Sequence, residues 1–84
     1  MIVLWHETAG RRRAGFAVSR QIRRAVDRNR ARRRLREAYR AARDAAPSSA
    51  ALVVIGKPAA LREPLKALTD EMRAAFASIS GRRA

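Results

Sequence analysis

The sequence predicts an α+β protein in which two helices cover a small sheet of about three strands, in the order β-β-α-β-α. Three patterns lead to this prediction: short runs of β-branched and aromatic residues, two longer segments with apolar residues every three or four positions, and turn residues between them. The chain has 84 residues, of which 48% are apolar, and we expect residues 1–84 to form a single domain with a small core.

Two short strands are predicted at the start of the chain. Ile2–Glu7 is an apolar and aromatic run, and Gly15–Ser19 is a second run that follows the basic turn Arg11–Arg13. Because only a short turn separates the two runs, we expect them to pair as an antiparallel hairpin. The alternation of a strand puts certain side chains on a shared face, Val3 with Trp5 on one and Phe16 with Val18 on another.

The period changes between about Ala25 and Ala46, where an amphipathic helix is predicted. Apolar residues recur there at three- and four-residue steps: Ala31, Leu35, Ala38, Tyr39, Ala42 and Ala46. A different face of the same helix is polar and basic, with Arg28 and Arg32 alongside it: Asn29, Arg33, Arg36, Arg40 and Arg43. The Pro-Ser-Ser segment that begins at Pro47 ends the helix.

The last two elements are a strand and a closing helix. Ala51–Ile55 is an apolar run that stops at Gly56, which makes it the best candidate for a central strand covered on both faces. Pro64 suits the first turn of a helix. An apolar stripe then runs towards Gly81 and predicts core packing: Leu61, Leu65, Leu68, Met72, Phe76 and Ile79.

Positive charge is concentrated in one segment. The chain has 20 Lys and Arg residues against 7 Asp and Glu, a net charge of +13, and 14 of the arginines lie between Arg11 and Arg43 with only two acids. Such self-repulsion opposes compactness, so a polyanionic partner is the simplest explanation. Nearly all of these cations are arginine, whose guanidinium group binds phosphate in a bidentate manner.

Several classes of function are excluded or disfavoured. The absence of cysteine excludes disulfides and thiolate metal sites. No apolar run approaches the roughly 20 residues of a membrane span, and the start lacks the order of a signal peptide, so we expect a cytoplasmic protein without a membrane partner. Carboxylates do not converge, and the single histidine, His6, has no evident partner. We therefore expect no catalytic residue, no metal site and no cofactor bound by the protein.

The strand and helix around the basic segment resemble the signature of the bacterial ribonuclease P protein subunit. Arg13–Ser19 matches the family's Gly-Phe-x-Val-Ser strand, and Ala25–Glu37 matches its Ala-Val-x-Arg-Asn-Arg helix with further arginines. The later apolar strand and leucine-rich helix are also similar, so the resemblance covers nearly the whole chain. It implies a ribonuclease P protein-like fold, shared with one domain of a small-subunit ribosomal protein, with a left-handed β-α-β crossover.

The resemblance also implies a function and a set of site residues. Family members assist a catalytic RNA, which carries magnesium, in removing the 5′ leader of precursor tRNA. The positions that correspond to the family's arginine–asparagine helix imply contact with that RNA: Arg28, Asn29, Arg30, Arg32, Arg33 and Arg36. Trp5 and Phe16 correspond to strand positions beside the family's leader cleft, where an aromatic ring can stack on a base.

Two departures from the family pattern affect these expectations. No helix and strand precede Ile2, so we expect a version without the family's N-terminal helix and first strand, with an open sheet edge and a leader cleft that lacks one wall. Three alternatives explain this difference: a misplaced start codon, a truncated chain, or a reduced but working cleft. Arg23 stands where the family usually has glycine, which changes the expected turn before the helix.

Other interpretations stay open beside these. The arginine helix could present an ordinary solvated face, and Trp5 and Phe16 could serve core packing. The chain could be a structural RNA-binding protein, such as a ribosomal component or an RNA chaperone, without an enzyme assembly. A membrane-surface helix is weaker, because the apolar stripe around Leu35 consists mostly of alanine.

Overall fold

Three strands form a mixed sheet whose spatial order differs from the chain order. The computed structural model describes residues 1–83, and the side chains of residues 1–81. The strands are β1 (Ile2–Glu7), β2 (Arg13–Val18) and β3 (Ala50–Gly56). β3 lies in the centre, antiparallel to β1 on one side and parallel to β2 on the other. The prediction of a central third strand is therefore confirmed.

The predicted hairpin of β1 and β2 is wrong. Trp5 lies opposite Leu52, and Phe16 lies opposite Val54, so each of the first two strands pairs with β3. β3 is the most continuously apolar of the three strands, and the central position buries more of it than an edge position would. The loop between β1 and β2 consequently passes beyond the N-terminal end of β3 instead of forming a tight turn.

The prediction that both faces of β3 are covered is also wrong. Burial alternates along the strand, with Leu52 and Val54 buried and Val53 40% exposed. One face of the sheet packs against the helices, and the other is open. The inward side chains of all three strands lie on the helix-covered face, because the register aligns Val3 and Phe16 with Val54. The predicted side-chain pairs therefore share a single face of the sheet.

The helices follow the predicted order with one addition. They are α1 (Ala25–Ala42), α2 (Ala59–Arg62) and α3 (Leu65–Arg83). α1 ends four residues earlier than the apolar pattern suggested, and a 3-10 turn follows at Arg43–Ala45. The short helix α2 was not predicted as a separate element, because its residues continue the apolar spacing of α3.

The main core lies between the sheet and the helices α1 and α3. Its buried residues come from every helix and from the central strand: Leu35, Ala38, Ala42, Ala50, Leu52, Val54, Ala60, Leu68, Met72, Phe76 and Ile79. A smaller cluster lies near the start of α1. It consists of Val18, Ile22 and Ala31, which pack against Leu61 of α2. The predicted core stripe of the closing helix is confirmed from Leu68 onwards, whereas Leu65 is 37% exposed.

α1 lies very close to the sheet at the end of β3. A Cβ atom added to Gly56 would be 2.8 Å from Leu35 Cδ1, so this position accommodates glycine and little else without movement. α1 connects the parallel strands β2 and β3, as the family resemblance implies. The left-handed sense of this crossover stays a prediction. None of the helices in the described part of the chain is both long and apolar enough to cross a membrane.

Candidate nucleic-acid interface

A stripe of basic residues runs along the face of α1 that points away from the core. Buried residues of α1 recur at Ala31, Leu35, Ala38 and Ala42. At 100° per residue, the opposite side of α1, continued to the first residue of the 3-10 turn, carries a set of residues within about 40° of one line. We call this set the basic stripe: Asn29, Arg33, Arg36, Arg40 and Arg43. All five are exposed. The stripe is about 21 Å long at 1.5 Å rise per residue.

The six residues predicted from the sequence to bind RNA do not all lie together. Asn29, Arg33 and Arg36 belong to the stripe, and Arg32 lies beside it, where its Nη1 donates a hydrogen bond to Asn29 Oδ1 at 3.4 Å. Arg28 and Arg30 lie on opposite flanks, each about 100° from Asn29 around the helix axis. Arg28 and Arg32 are partly buried, whereas the other four are exposed.

No carboxylate among the described residues forms an ion pair with a cation of the stripe. In the described part of the chain, the ion pairs are those of the Met1 amino group with Glu71, Lys66 with Asp70 and Arg73 with Asp44, none of which involves α1. Like charges three or four residues apart destabilise an isolated helix by about 0.2–0.5 kcal/mol per pair. The stripe therefore opposes folding, and a polyanion would relieve that repulsion.

The start of α1 carries further uncompensated charge. Arg24 is the N-cap residue and provides no side-chain hydrogen bond to the free backbone amides. Arg23 and Arg24 lie at the positive end of the helix dipole, where anions are favoured and cations are not. Asp27, in the first turn, is the acidic residue that compensates in part.

The middle of the stripe forms a shallow depression. Its lining is Arg33, Arg36 and Arg40, with one carboxylate, Glu37, at the side. Three guanidinium groups around one concave surface suit the oxygens of a phosphodiester backbone, since each can donate two parallel hydrogen bonds. Arg40 and Arg43 were absent from the predicted site, although the same three- and four-residue spacing extends to them.

Arg34 serves a different purpose from its neighbours on α1. Its Nε donates a hydrogen bond of 2.7 Å to Ala60 O, and its Nη2 donates to Glu63 O. These two oxygens belong to the C-terminal end of α2, where helix carbonyls have no partner within the helix. Arg34 is therefore a structural link between α1 and α2, which explains why a basic residue occurs outside the stripe.

The far end of α1 is fixed by Arg73 of α3. The two oxygens of Asp44 accept hydrogen bonds from Arg73 Nη1 at 2.8 and 2.7 Å, and Arg73 Nη2 donates to Ala41 O. The hydrogen bond from Arg73 holds the pKa of Asp44 below its ordinary value. This contact orients the C-terminal end of the stripe without using any of its members.

The two predicted aromatic contacts lie on the helix-covered face of the sheet. Phe16 packs edge-on against Tyr39 of α1, with ring centroids 5.6 Å apart, and Tyr39 packs in the same way on Phe76 at 6.0 Å. Trp5 is partly buried against the core and lines a groove between β1 and α3 that also contains Glu71 and Ser78. Trp5 and Phe16 are on opposite edge strands, so the fold does not bring them together.

Among the residues that the structure describes, no three His, Asp or Glu side chains are close enough together to hold a metal ion. His6 is exposed, and its Nδ1 donates a hydrogen bond of 3.1 Å to Glu7 O. The concentration of arginine on α1 is the dominant chemical feature of this surface.

Comparisons with known protein families and structures agree with this arrangement of an arginine–asparagine helix beside a three-stranded sheet. A model of the family described as Ribonuclease P matches residues 1–80. The chain belongs to this family. Ribonuclease P protein components from Brucella suis and Brucella melitensis are 44% identical over 68 residues, which cover 79% of this chain and 48% of theirs. The chain thus spans about half the length of these curated relatives.

Solved structures show the same fold. The ribonuclease P protein from Thermotoga maritima superposes with a TM-score of 0.78 at 22% sequence identity, over 90% of this chain and 74% of that protein. A second structure of the Thermotoga maritima protein, in complex with 1-(4-fluorophenyl)-2-thiourea, gives a TM-score of 0.74 at 22% identity, over 89% of this chain and 75% of that one. The α+β class and the order of the elements in this ribonuclease P family member are therefore confirmed.

Proposed function

We propose that the protein is the protein subunit of ribonuclease P and binds the catalytic RNA of that enzyme through the basic stripe of α1. The observation that carries this proposal is the uncompensated row of guanidinium groups on a member of the ribonuclease P family. Asn29 adds an amide that both donates and accepts hydrogen bonds, which suits a ribose hydroxyl group or a base edge. Arg28, Arg30 and Arg32 extend the contact on the flanks of the stripe.

The proposed role in the reaction is accessory. The RNA, with magnesium bound to it, cleaves the precursor tRNA, and the protein provides no catalytic carboxylate, thiol or histidine. Guanidinium groups at the contact neutralise phosphates and release counterions, which reduces the repulsion between RNA segments. The assembled enzyme should therefore need less magnesium than the RNA alone.

The proposal for the 5′ leader of precursor tRNA rests on Trp5 alone. Phe16 packs edge-on against Tyr39, which agrees with the core-packing interpretation of that residue. Trp5 keeps part of its ring at the surface of the groove beside α3, where a base could stack with a gain of about 1–3 kcal/mol.

The test is cleavage of precursor tRNA by the cognate catalytic RNA at low magnesium, with and without the protein. We expect the folded protein to increase cleavage, and the variant Arg33→Glu/Arg36→Glu to lose this effect. Lys66→Glu, which reverses an exposed charge on α3, is the control and should behave as wild type. If the folded wild-type protein leaves cleavage unchanged at every magnesium concentration, the proposed function is wrong.

Binding should also depend on salt. With about six phosphate contacts, the logarithm of the affinity should fall with the logarithm of the salt concentration with a slope of roughly −5. Arg33→Glu should weaken RNA binding and make this slope shallower. A response to salt that is nearly flat for the wild-type protein would contradict an electrostatic interface.

A further inference from the structure

A second group of arginines lies in the loop between β1 and β2 and at the first residue of β2. This loop borders a depression of about 650 Å³ that is separate from the one on α1 and is lined by His6, Thr8, Gly10, Arg11, Arg12, Arg13 and Ala51. No carboxylate side chain belongs to this lining, which consists entirely of described residues. We refer to it as the loop site.

The loop site owes its shape to the position of β3 between the two edge strands. Ala51 of β3 lies opposite His6 on one side and Arg13 on the other. Neighbouring strands are about 4.8 Å apart, so the backbones of His6 and Arg13 are separated by about 10 Å, with a small methyl group between them. The result is a concave surface on the open face of the sheet, with cationic side chains at its rim.

Arg12 fixes the loop against the end of α1. Its Nη1 donates hydrogen bonds to Arg43 O at 3.0 Å and to Ala46 O at 3.4 Å. The backbone amide of Thr8 also donates to Ser49 O at 3.2 Å, which holds the other side of the loop. Because Arg43 is the last member of the basic stripe, Arg12 holds the loop near the C-terminal end of that stripe, although the loop site opens on the other face of the sheet.

We propose that the loop site is a second phosphate-binding site, in which Arg11 and Arg13 bind the sugar–phosphate backbone of RNA and Arg12 is a positioning residue. The exposed side chains of Arg11 and Arg13 have no hydrogen bond or ion pair with another described residue, so their donors are available to phosphate oxygens. The contact of Arg12 with Arg43 O places the loop site near the last residue of the stripe, which favours a polynucleotide over a small anion, because one RNA backbone can pass around the edge of the sheet from one surface to the other. The inference rests on the proposed function for the identity of the RNA.

The test compares Arg11→Gln/Arg13→Gln with a control that loses the same charge. Lys57→Gln/Lys66→Gln is suitable, because Lys57 follows the opposite end of β3 and Lys66 lies on α3. Affinity for the cognate catalytic RNA is measured between 50 and 200 mM salt. Two lost contacts should make the slope shallower by about 1.5, so that the defect of the loop variant is about eightfold larger at the lower salt concentration. The same slope for the loop variant and the control would overturn the inference.

The RNA that supplies the phosphates is identified by repeating the salt titration twice, once with the catalytic RNA alone and once with precursor tRNA also present. A defect with the catalytic RNA alone assigns the loop site to that RNA. A defect that appears only when precursor tRNA with a 5′ leader is present assigns it to the substrate. Both outcomes support a phosphate site. If the loop variant binds as tightly as wild type in both titrations, the phosphate site is excluded. Failure of the proposed function can be distinguished from failure of the loop site, because in the first case the wild-type protein itself would not increase cleavage.

The positioning role of Arg12 has its own test. Arg12→Met removes the hydrogen bonds to Arg43 O and Ala46 O and should make the salt slope shallower although Arg11 and Arg13 are intact. Arg12→Lys should restore part of the slope, because an ammonium group can still donate to these oxygens. If Arg12→Met lowers thermal stability but leaves the slope of the folded protein unchanged, Arg12 has a structural role only.

Discussion

The adjacent residues Arg33 and Arg34 provide a direct test of how the arginines of α1 are divided between folding and RNA binding. Arg33 is exposed in the basic stripe, whereas Arg34 donates hydrogen bonds to Ala60 O of α2 and to Glu63 O, which caps that helix. Replacing each with methionine keeps the unbranched stem and removes the guanidinium group. The two variants therefore have the same composition and the same net charge.

We expect opposite phenotypes from the two substitutions. A hydrogen bond from a charged group contributes about 1.5–3 kcal/mol when buried. The two bonds of Arg34 are partly exposed, so together they should stabilise the protein by about 2 kcal/mol. For a domain of this size, that loss corresponds to a decrease in Tm of about 8–16 °C. Arg33→Met should leave Tm within a few degrees of wild type, or raise it slightly by relieving repulsion.

The RNA-binding measurements should show the reverse. Arg33→Met should make the log–log salt slope shallower by about 0.7–0.9, the contribution of one phosphate contact. Arg34→Met, measured at a temperature at which circular dichroism shows it to be folded, should keep the wild-type slope. If Arg34→Met changes the slope as much as Arg33→Met and does not lower Tm, the assignment of Arg34 to the α1–α2 contact is refuted.

Three further predictions follow from particular contacts. Gly56→Ala should lower the free energy of unfolding in urea by about 1–3 kcal/mol, because its Cβ would lie 2.8 Å from Leu35 Cδ1; unchanged stability would argue against this close packing. The hydrogen bond from Arg73 lowers the pKa of Asp44 below its ordinary value of 3.8. The stability that the Asp44–Arg73 pair contributes is therefore present above that pH and is lost as the pH falls further. Asp44→Asn should therefore flatten the acid part of the stability–pH curve, and an unaltered curve would show that the pair does not contribute. Trp5→Leu should weaken binding of precursor tRNA with a leader more than binding of tRNA without one, and equal effects would limit Trp5 to packing.

Local patterns in the sequence were sufficient for the three strands and the two long helices, and for the grouping of side chains on α1 and β1. The three- and four-residue spacing around Leu35 predicted both the buried side of α1 and the basic stripe opposite it, because a helix converts spacing directly into direction. The alternation in Ile2–Glu7 likewise predicted that Val3 and Trp5 share a face of β1. These properties depend on neighbours in the sequence.

Strand order and the roles of individual arginines could not be obtained in this way. The short connection between β1 and β2 favoured a hairpin, yet both strands pair with β3, which is more than 30 residues further along the chain than the end of β2. The same limitation applies to Arg34 and Arg12, whose partners are 26 to 34 residues away. A run of arginines in the sequence does not distinguish a side chain that binds a helix end from one that faces solvent.

The most direct test of the central claim is to locate α1 on the catalytic RNA. The chain has no cysteine, so Arg36→Cys provides a single attachment point for an iron–EDTA group that cleaves nearby RNA by hydroxyl radicals. We predict that the Arg36→Cys probe cuts the cognate catalytic RNA at a small number of positions, and that a Lys66→Cys probe on α3 does not cut at those positions. Cleavage from the Lys66→Cys probe alone, with none from the stripe, would contradict the account.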